Sequence, residues 1–183
     1  MKITPNIRLA LHHLKIGVIA HPTDTIYGLA CIANNSKAIM TLIDLKQRDA
    51  EKGFILLASD INFLLPYIDS NLDSEMLKKL SKPANKPTTY LVPKSSLVSV
   101  LISGENELIA VRVTSDPLIS YFCENTGSAL ISTSANIKGQ KVVSSLDELR
   151  TYFNDDLAFA LPPNTYNSEP SRIINLVTGE RLR

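Results

Sequence analysis

The sequence predicts an α/β fold, a sheet covered by helices within a single domain. Three observations carry that prediction. The 183 residues fit one domain of ordinary size. Continuous apolar runs, the pattern of strands buried on both faces, alternate with stretches of helical periodicity. A composition of 44% hydrophobic and 20% charged residues is that of an ordinary globular protein and excludes disorder or a fibrous repeat.

Asn6 to Lys15 carries Ile7, Ala10, Leu11 and Leu14 at helical spacing and stops at Gly17, a C-cap. Val18 to Ala20 reads as a short buried strand that Pro22 ends. Thr23 to Gly28 is a polar loop between this strand and a second apolar one. Ser36 is expected to cap a helix through Gln47, with Ile39, Leu42 and Ile43 as its apolar stripe. Phe54 to Ala58 is an unbroken apolar strand, and Ser59 or Asp60 caps a short helix to Leu65. Asp73 to Leu80 is another helix. Strands follow over Thr88 to Val92, Leu108 to Val113 and Leu130 to Thr133. Asp116 to Asn125 and Leu146 to Phe153 are helices, and Leu157 to Leu161 and Ile173 to Val177 are the last strands. Loops 81–87 and 162–171 hold five of the ten prolines, which marks them as ordered turns or lids.

Nineteen basic residues against eighteen acidic leave a net charge of +1, so bulk charge announces no nucleic-acid binder. Cys31 and Cys123 give neither a disulfide framework nor metal-ligand spacing and are expected to be buried small hydrophobes. Charged residues interrupt the first fifteen positions, so no signal peptide is expected, and no apolar run approaches the ~20 residues that span a bilayer. A cytoplasmic protein without membrane contact is the expectation. The seven glycines never lie two apart, so there is no G-x-G-x-x-G and no Walker A loop. A nucleotide would have to be held by cations, hydroxyls and helix N-termini.

Four stretches are candidate sites. Lys46 continues the inward stripe of its helix and Arg48 follows just beyond, with Lys52 after it. These cations point at a phosphate chain or merely complement the helix dipole. Ser132, Thr133, Ser134 and Asn136 follow a strand's C-terminal end, where open α/β sheets place ligands; the alternative is a plain turn. Thr23, Thr25 and Tyr27 line a polar loop that is otherwise an ordinary hairpin. Lys78, Lys79, Lys82, Lys86 and Lys94 form a solvated face or a phosphate-facing patch. Arg112 lies inside an apolar strand and must find a partner or face a cleft.

In order along the chain stand P-T-D-T-I-Y-G-L, L-K-Q-R-D, K-P-T-T-Y-L-V-P, A-V-R-V, S-T-S-A-N-I-K-G and E-P-S-R-I. Together these resemble the YrdC/TsaC family of threonylcarbamoyl-AMP synthases, in its short bacterial form. The resemblance implies a twisted mixed sheet with flanking helices and a large concave basic cavity. It implies that L-threonine, bicarbonate and ATP give L-threonylcarbamoyladenylate and pyrophosphate, with Mg²⁺ carried on ATP. A tRNA threonylcarbamoyl transferase complex then uses the adenylate to make N6-threonylcarbamoyladenosine beside the anticodon.

By the same resemblance the K-x-R and S-x-N motifs, Lys46, Arg48, Ser134 and Asn136, are catalytic, and neither cation is expected to hold the core. Thr23, Thr25, Tyr27, Thr89 and Arg112 bind L-threonine. Lys52, Thr133, Ser171 and Arg172 join the motifs around the nucleotide. Two departures stand out: Lys86 replaces the glycine of a Pro-Gly-Pro turn, and Asp24 replaces a glutamate. A competing reading is a double-stranded RNA-binding or ribosome-maturation module using Lys78 to Lys94. The absence of Trp and an aromatic content of 6% argue against it as the main task, although a weak tRNA contact can coexist with synthesis.

Overall fold

A computed structural model describes residues 1–49, 51–154, 156–163 and 170–183. Residues 164–169 of the proline-rich loop, with Glu169 of the E-P-S-R-I motif, lie outside the described residues.

The strands are β1 (Lys2–Ile3), β2 (Ile19–His21), β3 (Gly28–Ile32), β4 (Ile55–Ala58), β5 (Thr88–Pro93), β6 (Leu108–Val113), β7 (Leu130–Ser134), β8 (Phe159–Ala160) and β9 (Arg172–Asn175). The helices are α1 (Ile7–Ile16), α2 (Ser36–Lys46), α3 (Ser74–Leu80), α4 (Val100–Ser103), α5 (Pro117–Thr126) and α6 (Leu146–Phe153). Among the described residues one sheet has the order β1-β8-β2-β3-β7-β4-β6-β5-β9. It is mixed: β1 with β8, β2 with β8, β4 with β6 and β5 with β9 are parallel, and the other pairings are antiparallel.

Local chemistry fixes the element ends. The Asn6 side chain accepts from the amides of Arg8 and Leu9, and Gly17 closes α1 by donating to His13. Asn35, rather than Ser36, caps α2 by accepting from Ala38 at 3.0 Å. The helix expected over Asp60 to Leu65 is instead two 3₁₀ turns, Ile61–Phe63 and Leu65–Tyr67, because Pro66 has no N–H to carry an α ladder onward. β1 and α4, of two and four residues, are too short to leave a periodic signal.

β2 and β3 are buried at every position, as unbroken apolar runs require. Ala38, Ile39 and Leu42 turn the inner stripe of α2 into the core, worth ~1.5–3 kcal/mol for each large side chain so buried. Cys31 and Cys123 are both buried free thiols, and burial pushes the Cys31 thiol up to about 12. No helix among the described residues is long and apolar enough to cross a membrane.

One close approach binds the segment after α2 to the end of α4. Lys52 and Gly104 form an antiparallel bridge, and the Phe54 amide donates to Ile102 at 2.8 Å. Gly104 has φ +59, and a Cβ there would lie 2.0 Å from the Glu51 carbonyl oxygen. A Cβ on Gly53 would meet the Ser103 carbonyl oxygen at 2.8 Å. Gly104→Ala should therefore lower unfolding stability by about 2–3 kcal/mol, from overpacking and left-handed strain combined, in urea denaturation. A variant as stable as the parent would refute this close packing.

Candidate active site

Residues opposite each other in neighbouring strands share a sheet face. Gly28 pairs Ser134, Ser132 pairs Ile55, Ile55 pairs Ala110, Leu57 pairs Arg112, Ala110 pairs Leu91, and Thr89 pairs Ile173. All of these line one cavity of about 560 Å³. Arg48, Ile102, Ser103 and Arg183 form walls above that face, with Thr23, Thr25, Thr133 and Ser171 at its borders. The same alternation disposes of Arg172. It pairs Thr88, one step out of phase with Thr89 and Ile173, so it sits on the other face and away from the cavity.

Lys46 is buried on α2, on the face the periodicity gives it. Its Nζ donates to the carbonyls of Ser134 at 2.6 Å and Asn136 at 2.7 Å, and to Asn136 Oδ1 at 3.2 Å. An ammonium has three N–H groups, so these contacts occupy all of them. Ser134 Oγ donates to the same Asn136 Oδ1 at 2.6 Å, and Asn136 Nδ2 donates to the carbonyls of Ile137 and Gln140. The S-x-N motif is thus a bracket closed around Lys46. Lys46, not expected to hold the core, nonetheless joins the C-terminal end of α2 to the end of β7. Burial and the nearby Arg48 push its pKa down to about 8.

Gln47 takes a left-handed conformation, φ 48 and ψ 44, so α2 stops there and Arg48 turns toward the cavity. Arg48 donates to the carbonyls of Lys52 at 3.2 Å and Gly53 at 2.6 Å, and lies 4.7 Å from the centroid of the Phe54 ring. Two of its five N–H groups serve that loop. Beside it a small pocket of about 120 Å³ is lined by Lys46, Arg48, Asp49, Lys52, Ser134, Asn136 and Lys138. Asp49 pairs with Lys52 at 3.2 Å and with Lys138, and these hydrogen bonds hold its carboxyl below the ordinary range. Both lysines are more than half exposed, so these pairs add little stability.

In the loop 22–27, Thr23 Oγ1 donates to the Ile26 carbonyl at 2.6 Å and accepts from the amides of Thr25 and Ile26. Tyr27, expected at the threonine pocket, is fully buried in the core, and its hydroxyl donates to the Leu161 carbonyl. Its large apolar ring outweighs its place in the motif. Asp24 reaches across the sheet to Arg112, the partner that a charge inside an apolar strand requires, and Thr114 Oγ1 lies 3.4 Å from the same carboxylate oxygen. Arg112 lines the cavity; burial lowers its pKa while Asp24 raises it. Thr89 and Ser171 are joined hydroxyl to hydroxyl at 2.8 Å.

The structure therefore brings Lys46, Arg48, Lys52, Ser134 and Asn136 around one pocket, and Thr23, Thr25, Thr89, Arg112, Thr133 and Ser171 around the cavity beside it. Three contributors have no counterpart in the sequence-based assignment. Arg183 donates from Nε to the Ser171 carbonyl at 3.0 Å and lines the cavity, a role no local motif signals. Lys138 stands on the small pocket, and Asp24 emerges as the partner of Arg112. Lys86 is exposed, and its carbonyl accepts from Thr88 Oγ1. The Lys78–Lys94 stretch is partly spent within the chain: Lys79 lies 5.5 Å from the Tyr90 ring centroid and Lys94 donates to the Asn106 carbonyl.

The cavity is thus lined by three arginines, Arg112 on the sheet face and Arg48 and Arg183 in the walls, and the small pocket beside it by a buried ammonium, groups whose chemistry suits anions. The chain belongs to the Sua5/YciO/YrdC family, whose model, described as telomere recombination, matches residues 14–183. It is 40% identical over 181 residues to the threonylcarbamoyl-AMP synthase of Vibrio campbellii, covering 97% of this chain and 98% of that one. The enzyme of the same name from Idiomarina loihiensis is 38% identical over 172 residues, covering 93% and 92%. Among solved structures, P. abyssi Sua5 complexed with L-threonine superposes with a TM-score of 0.81 at 25% identity; it covers 93% of this chain, which spans about half (51%) of that protein. E. coli YciO, at 23% identity and a TM-score of 0.75, shares the fold. The RNA-binding reading is not favoured by these likenesses.

The buried Lys46 makes stability depend on pH in a defined direction. Its pKa is about 8 folded against 10.5 unfolded, so between these values the unfolded chain binds the extra proton and stability rises with pH. The contribution is complete above 10.5 and is lost as pH falls through 8. Urea denaturation from pH 7 to 10 should show the parent gaining up to about 3 kcal/mol relative to Lys46→Met. A constant difference across that range would mean that the lysine titrates normally.

Proposed function

We propose that this protein is a threonylcarbamoyl-AMP synthase, converting L-threonine, bicarbonate and ATP into L-threonylcarbamoyladenylate and pyrophosphate. The product serves N6-threonylcarbamoyladenosine formation next to the tRNA anticodon. The observation that carries this reading is the meeting of the K-x-R and S-x-N residues at one pocket opening beside the arginine-lined cavity, in a chain 40% identical to a synthase over nearly its whole length.

The chemistry asks for charge neutralisation and alignment more than for covalent help. The threonine amine takes up bicarbonate to become an N-carboxylate, which attacks the α-phosphate and expels pyrophosphate. Arg48, fixed by the Lys52 and Gly53 carbonyls and backed by Phe54, keeps N–H groups for phosphate oxygens. Lys46 contributes positive potential at the small pocket and holds the Ser134–Asn136 loop in place. Lys52 and Lys138 exchange Asp49 for the outer phosphates. Arg112 takes the threonine carboxylate, and Thr89 and Ser171 present hydroxyls at the far side. Mg²⁺ travels with the triphosphate; among the described residues no cluster of three or more His, Cys, Asp or Glu side chains is placed to hold a metal. The setting is cytoplasmic, where a tRNA threonylcarbamoyl transferase complex consumes the adenylate.

The purified protein should release pyrophosphate from ATP only when L-threonine and bicarbonate are both present. Release that ignores threonine would leave a plain ATPase and end this reading. Arg48→Ala should lower turnover by ~10²–10³, the ~2.7–4 kcal/mol expected for losing a preorganised charge stabiliser. Near-normal turnover of that variant would return Arg48 to a role in loop structure alone.

A further inference from the structure

Among the described residues lining the small pocket, Asp49 is the one acid, set among four cations: Lys46, Arg48, Lys52 and Lys138. Both of its carboxylate oxygens are engaged there. Lys138 Nζ donates to Oδ1 at 2.5 Å, and Lys52 Nζ lies 3.2 Å from Oδ2. Lys138 comes from the loop after β7, 89 positions along the chain, and its amide donates to the Lys46 carbonyl at 3.0 Å. The backbone thus fixes where that side chain starts, and the carboxylate fixes where its ammonium ends. Hydrogen bonds from Lys138 and Lys52 hold the Asp49 carboxyl below the ordinary range, so it is charged at physiological pH. It stands where an external anion would bind.

Burial separates the cations of this pocket into two kinds. Lys46 is buried with its three donors committed to Ser134 and Asn136, whereas the side chains of Lys52 and Lys138 are 63% and 56% exposed. Arg48 and Ser134 line the small pocket and the larger cavity alike, so a ligand seated in the cavity reaches the two exposed lysines past them. Exposed ion pairs hold weakly, and Asp49 is therefore a latch that a stronger anion opens. Its tether keeps it at a high effective concentration beside the lysines. Attraction to the two ammoniums grows with the charge an anion brings. A single charge, as on bicarbonate, gains no more than the carboxylate already does. A di- or triphosphate brings several charges and oxygens, and displaces it.

We infer that Asp49 is an internal competitor of the polyphosphate: it occupies Lys52 and Lys138 until a di- or triphosphate displaces it, and it drives pyrophosphate out by returning to them. This inference rests on the synthase reading. With the triphosphate bound, the displaced carboxylate stands beside the outer phosphates as a like charge. As the N-carboxylate oxygen bonds to the α-phosphorus, the bond from that phosphorus to the bridging oxygen breaks, and its electron pair leaves with pyrophosphate. The phosphate of the adenylate left behind carries one charge, too little to keep the latch open. Asp49 repels the severed pyrophosphate and pairs again with the lysines. The pocket clears, and attack of pyrophosphate back on the adenylate is suppressed.

The test titrates the full chain with sodium pyrophosphate by calorimetry at constant ionic strength. Asp49→Asn should bind pyrophosphate about tenfold more tightly than the parent, the gain from removing one like charge at a solvated site. Asp49→Glu, which keeps the competitor, should stay close to the parent, and the affinity for L-threonine should be the same in all three. Equal or weaker pyrophosphate binding by Asp49→Asn would make Asp49 a mere support for the lysines and overturn the inference, as would equal tightening by Asp49→Glu. Carbon NMR of the parent gives a second readout that needs no variant. The Asp49 carboxyl, held low while paired, should titrate at higher pH once pyrophosphate is bound and the lysines have left it. Pyrophosphate bound with that midpoint unmoved means that the latch never opens, and overturns the inference alone. A parent that binds neither pyrophosphate nor a non-hydrolysable ATP analogue overturns the synthase reading and this inference with it.

Discussion

Everything at the site depends on one buried ammonium. Lys46 arrives at the end of a helix whose inner stripe is committed to the core, and its three donors meet the Ser134 carbonyl and both oxygens of Asn136. A buried charge is tolerated when its hydrogen-bonding capacity is filled, and here it is filled by the strand end that carries the second motif. The two motifs therefore fold as one unit. Removing either leaves polar groups of the other without partners, so their roles in chemistry and in structure are difficult to separate.

Strand pairing does the remaining assembly. Residues distant in sequence reach the cavity because the register from β2 through β9 puts alternate positions of each strand on a common face. The bare backbone of Gly28 and the small hydroxyl side chains of Ser132 and Ser134 leave room on one side, while Arg112 and Arg183 bring charge from the other. The Asp24 carboxylate, anchored to Arg112, holds the loop after β2 across that face.

Much of this was legible in the residues. Helical periodicity put Lys46 inward, the apolar runs marked the central strands, and the ordered motifs pointed to the family. Arg112 announced its need for a partner simply by lying in an apolar strand. What escaped detection was long-range. Strand order is set by packing among segments far apart in the chain, so the phase that turns Arg172 away from the cavity is invisible before pairing is known. Tyr27 misled because its motif context is polar while its ring is large enough to be claimed by the core. Arg183 carried no signal at all, since only the fold brings it to Ser171.

The two glycine contacts at the rim have a mechanical meaning. Where the backbone at Gly53 packs on Ser103, and that at Gly104 on Glu51, with no side chain between them, there is no slack to absorb sliding. The segment bearing Arg48 and the α4 wall therefore move as a single stiff body. The opposite border, the loop after β2, is held instead through side chains, by the Asp24–Arg112 ion pair and the Thr23 hydroxyl. A ligand entering the cavity passes between one border set by backbone packing and one set by side-chain contacts.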